Sequence, residues 1–149
     1  MTTLDANATI ASLANPFVLA APSRAARWTG RVLTTLISLL LGFDALMKLL
    51  RIAPVMKATV QLGYPTHAVF AIGVVLAICV VAYVIPRTSL LGAVLLTGYL
   101  GGAIATHVRV GDPLWTHTLF PIYVAAVIWA GLVLRNERVR RSLEVCFSR

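Results

Sequence analysis

Three stretches of the chain, residues 66–86, 88–108 and 114–134, contain no Asp, Glu, Lys or Arg at all. Each is long enough to cross a hydrocarbon layer of about 30 Å as a helix rising about 1.5 Å per residue. A segment in lipid must satisfy its own backbone hydrogen bonds, which leaves helices and closed barrels. Uninterrupted apolar runs of this length fit the helix. The composition agrees: 59% of the 149 residues are hydrophobic, only 12% are charged, and the mean hydropathy is +0.88. Such a chain cannot clothe itself in polar surface, which excludes a soluble globular domain and a disordered one.

A fourth stretch, 31–50, is apolar but holds Asp44 and Lys48. Its Leu, Ile, Val and Phe residues contribute about −3 to −7 kcal/mol to insertion, against about +5 to +7 kcal/mol for two central charges. The two charges sit near one end and four residues apart, so they share a helical face and can pair. The stretch is therefore counted as a span. The expected fold is an all-α, polytopic membrane protein, a four-helix antiparallel bundle over residues 30–134. A flexible arm (1–29), interrupted by Pro16 and Pro22, precedes it, and a basic tail (135–149) follows. The start lacks the charged n-region of a cleaved signal peptide.

Thirteen Lys and Arg against five acids give a net charge of +8. The basic residues lie between apolar runs rather than on one stripe, which argues against nucleic acid and for topology signals and lipid headgroup contacts. With four spans, Arg24, Arg27, Arg31, Arg87, Arg135, Arg138, Arg140, Arg141 and Arg149 fall on one side. Lys48, Arg51, Lys57 and Arg109 fall on the other. Nine against four predicts both termini in the cytoplasm, in a bacterial cytoplasmic membrane. Cys79 and Cys146 are too far apart for a CxxC pair, and no Cys/His spacing fits a metal site.

Pro54 and Gly63 bracket a short interfacial helix in the first connection. The four-residue link Ile85-Pro86-Arg87-Thr88 forces spans two and three into a hairpin, and Gly111-Asp112-Pro113 marks a turn. Gly98, Gly101 and Gly102 supply a small-residue surface for helix packing, inside the bundle or between two copies in a homodimer. Trp115, Trp129, Tyr64 and Tyr123 suit an aromatic belt, with Tyr99 deeper.

Counting residues places Asp44 about 9 Å and Lys48 about 3 Å inside the outer end of span one. Thr106, His107 and Arg109 share that level on span three, followed by Asp112 and His117, while Gln61 and His67 arrive from the first connection. Ionisable groups inside a membrane point to function. Asp44, Lys48, His107 and Arg109 are the catalytic candidates. Tyr99, Thr106, His107 and Arg109 are the ligand-binding ones. A salt-bridge network that merely holds the spans together accounts for the same residues. No metal site is expected.

The segments Asp44–Leu49, Leu62–Pro65, Ile85–Thr88 and Leu96–Arg109 together resemble the DoxX-like family of small bacterial membrane proteins. The resemblance implies a four-helix membrane bundle. Relatives in the wider group are linked to thiosulfate:quinone oxidoreduction and membrane oxidoreductase complexes. The family's acid-and-lysine motif falls on Asp44 and Lys48, and its Thr-His-x-Arg motif on Thr106, His107 and Arg109. Two positions depart: Ala45 stands where a Gly usually follows the Asp, and Leu76 where a buried Glu is common. The first functional expectation is an accessory or quinone-interacting component of a redox system, with quinone as the candidate cofactor. The chain carries no flavin, haem or iron–sulfur motif, so electrons would come from a partner protein. The alternatives are a membrane scaffold and, less favoured, a small-molecule transporter.

Overall fold

The computed structural model describes residues 23–113, 115, 118–137, 139, 140, 142 and 145. The described residues form five helices and no strand: α1 (Arg24–Leu49), α2 (Ala53–Gln61), α3 (Ala68–Val84), α4 (Ser89–Val110) and α5 (Phe120–Arg135). Four of them overlap the four apolar stretches, α5 starting at Phe120 rather than at 114, and α2 is the short helix expected after the first. The chain begins its first helix earlier than expected. Ser23 accepts a hydrogen bond from the Ala26 N–H at 3.2 Å and caps the free end, so α1 starts at Arg24, inside the expected flexible arm. Residues 1–22 of that arm, His117 and Cys146 lie outside the described residues.

Helix α1 packs on α3 and α5, and α4 closes the circuit by packing on the same two helices. Ile37, Leu41, Leu76, Leu96, Ile128 and Leu132 fill the space between them. Leu76, at the position where a relative's Glu would be, is fully enclosed. The outside is as apolar as the inside: Leu36, Leu39, Phe43, Ile78, Val81 and Leu91 are each more than half exposed. A water-soluble surface does not carry apolar residues at that density. By length and composition α1 and α4 can cross a membrane, whereas α3 and α5 are apolar but shorter, at 17 and 16 residues.

The α3–α4 link is a tight hairpin. Thr88 Oγ1 donates to the Ala82 carbonyl at 2.8 Å, and the Gly92 N–H donates to the Thr88 carbonyl at 2.8 Å. Gly92 then meets the backbone of Tyr83 so closely that any Cβ would collide with it. The Gly98, Gly101 and Gly102 surface does not serve this purpose. A Cβ at any of the three would meet nothing within 4 Å among the described residues, so they pack no described helix. Close approach falls elsewhere, at Gly92 by the link, at Gly30 and Gly131 between α1 and α5, and at Gly73 between α3 and α1.

Tyr83 organises the same end of the molecule. Its hydroxyl donates to the Ile128 carbonyl at 2.8 Å and receives the Thr34 hydroxyl at 3.4 Å. Arg135 donates to the Tyr83 carbonyl at 2.8 Å and stacks on its ring at 5.1 Å. One side chain thus joins α1, α3 and α5. Trp129, expected in a belt, instead donates its indole N–H to Thr97 Oγ1 at 3.0 Å and ties α5 to α4.

Candidate functional site

At the opposite end the helices stand apart around a cavity of about 480 Å³. Its walls are mostly apolar, with Leu41, Leu100 and Val124 among them, and most of its polar groups gather from three segments. Helix α1 brings Asp44 and Lys48, α4 brings Tyr99, Thr106 and His107, and the connection after α2 brings Tyr64. Gly98 and Gly102 also border it, which is what their missing side chains leave room for.

The ammonium of Lys48 donates to the Asp44 carboxylate, an i,i+4 pair on α1. Lys48 is the better shielded partner, its side chain 14% exposed against 43% for Asp44. The pair is neutral as a unit, which lowers the cost of placing two charges among apolar residues.

Across the cavity, Thr106 Oγ1 donates to the Gly102 carbonyl one turn back at 2.9 Å. Having only one hydrogen, it must accept in its 2.7 Å contact with Tyr64, so the Tyr64 hydroxyl is the donor there. His107 Nδ1 lies 2.6 Å from Asp112 Oδ2. A carboxylate only accepts, so the proton is on Nδ1. Gly111, at φ 75°, turns the chain after α4 and returns Asp112 to the histidine. The Tyr99 hydroxyl makes no hydrogen bond with any described residue, although the residue is largely enclosed and borders the cavity.

Arg109 does not join this group. Its guanidinium donates to the Leu62 carbonyl at 2.6 Å and lies 6.0 Å from the Tyr64 ring. Gly63, at φ 83°, passes so close that a Cβ would come within 2.9 Å of the guanidinium. Arg109 thus holds the connection that carries Tyr64, and it does not border the cavity. Its side chain stays exposed beside Gly63.

Arg51 and His67 are also outside the cavity. Arg51 stacks on Phe70 at 5.3 Å, and His67 sits exposed at the start of α3. Gln61 faces a separate surface hollow with Met56 and Lys57. Among the described residues no group of three His, Cys, Asp or Glu could hold a metal ion. Thr59 and Phe120 are among the bordering residues not singled out from sequence. The short helix at Pro54 was the signal for the first, because a helix there must present one face to the bundle.

An all-helical chain with a lipid-compatible exterior and a mostly apolar cavity tipped with polar groups is a membrane protein of the small helical kind. The chain belongs to the DoxX-like family, whose family model matches residues 32–131. No curated protein and no solved structure matches it.

Proposed function

We infer that this protein crosses the membrane four times with both termini cytoplasmic, and holds a neutral, lipid-soluble carbonyl compound of the quinone class in its polar-tipped cavity. The observation that carries the reading is the Tyr99 hydroxyl, a donor without a partner among the described residues at the edge of a mostly apolar space. A quinone carbonyl is an acceptor that brings no charge, and its tail suits the apolar walls. The volume lies in the usual range for small-molecule sites, roughly 300–1,000 Å³.

The neighbouring charges favour a neutral ligand too. Lys48 is already matched by Asp44, and His107 is held by Asp112. Tyr99 donates to a carbonyl, the Asp44–Lys48 pair adds no net charge beside it, and Arg109 fixes Tyr64 and through it Thr106. The chain's part is to bind and orient. Electrons, where a reaction follows, come from a partner protein, which makes this an accessory component of a membrane redox system.

The test is quinone content after extraction of protein purified in native-lipid discs. Wild type is expected to retain near-stoichiometric quinone, and Tyr99→Phe and Asp44→Asn each to lose most of it. Quinone no richer than in the surrounding lipid would remove the reading. So would full retention in Tyr99→Phe.

A further inference from the structure

The end of the molecule organised by Tyr83 has its own hollow, of about 410 Å³, bordered by Arg31, Thr35 and Ser38 of α1 and by Arg135 of α5. We propose that this hollow binds the phosphate of an anionic glycerophospholipid. The inference is independent of the quinone reading, since it uses other residues at the other end.

Two of the bordering groups are buried donors without partners among the described residues. Ser38 Oγ and Arg135 Nε are both closed off and make no hydrogen bond with any of them. A helical serine ordinarily donates to the carbonyl one turn back, and this one does not. Both are hydrogen-bond donors, and a phosphate supplies acceptors in the right number. Arg31 makes no hydrogen bond or ion pair with a described residue, resting on the Trp28 ring at 5.8 Å.

Charge points the same way. Among the described residues two guanidinium groups border the hollow and no acid does. The nearest acid in sequence, Glu137, is taken by Arg27 at 3.4 Å. The remaining wall identifies the lipid rather than a free ion. Leu39, Val80 and Val84 continue the hollow along the outside of α1 and α3, and Leu39 and Val84 are 65% and 48% exposed. Arg31 and Leu39 are about 12 Å apart along α1, the separation expected between a headgroup and the upper part of its acyl chains. Basic pockets between helices are where anionic headgroups dock.

The experiment is native mass spectrometry of the full chain released from discs holding equal phosphatidylglycerol and phosphatidylcholine. Wild type should keep phosphatidylglycerol about tenfold or more over phosphatidylcholine, and Arg31→Gln should lower that preference about fivefold. Ser38→Ala, which removes a buried unpaired hydroxyl and so leaves the fold intact, should lower retention about two- to fivefold. Equal retention of the two lipids overturns the proposal, as does a preference unchanged in either variant. Millimolar inorganic phosphate that displaces the lipid would assign the site to a soluble anion and overturn the lipid.

Discussion

The two polar ends of the molecule use similar side chains to opposite effect. Around Tyr83 the hydroxyl and guanidinium groups reach the backbones of neighbouring helices, so α1, α3 and α5 are tied at a single residue. Around Asp44 the polar groups satisfy one another in pairs, Asp44 with Lys48, Tyr64 with Thr106 and His107 with Asp112, and α1 and α4 stay apart although Gly73 brings α3 onto α1. A bundle in lipid has no hydrophobic force between its helices, so it closes where backbone approach or hydrogen bonds close it. One end has both. The other has a cavity.

Gly92→Ala should break the tied end outright. A Cβ there overlaps the Tyr83 backbone, which cannot move without dismantling the hairpin, and a loss of more than about 3 kcal/mol is expected in thermal or denaturant unfolding in discs. Tyr83→Phe keeps the ring and removes the hydroxyl, taking away the bond to the Ile128 carbonyl and the acceptor of the buried Thr34 hydroxyl, and should cost about 1–3 kcal/mol. Its quinone content should stay at the wild-type level, which separates the two ends. The smallest change lies at the open end: Gly98→Ala meets no neighbour and should stabilise α4 by about 0.5–1 kcal/mol. The same methyl enters the cavity, so retained quinone should fall while the melting temperature rises. Parallel loss of both would mean that Gly98 packs against something, and that the cavity is not where the glycine matters.

The helices were legible because charge is confined to their ends, and even the marginal stretch was recoverable from the four-residue spacing of Asp44 and Lys48. The site was legible by level. Residue counting along spans one and three put Asp44, Lys48, Thr106 and His107 at one height, and all four border the cavity. Counting could not say which way the first connection folds, so Arg109 looked equivalent to His107 although Gly63 lies over it. The Gly98–Gly102 spacing suggested close packing for the same reason. Helix approach is set by the crossing points, and these are occupied by Gly92 beside the hairpin link, by Gly30 and Gly131 between α1 and α5, and by Gly73 between α3 and α1. Tyr83 gave no signal, because one hydroxyl in an apolar run has no period to read.

Unequal helix lengths have a consequence for the lipid around the protein. On the four-span reading, α3, at 17 residues, covers about 25 Å, while α1, at 26 residues, is longer than a hydrocarbon layer of about 30 Å. The bilayer beside α3 must thin by several ångströms while α1 tilts, at a cost of fractions of a kcal/mol per ångström. Acyl chain length thereby becomes a variable of the protein's stability, and membranes of short-chain lipid become its preferred surroundings.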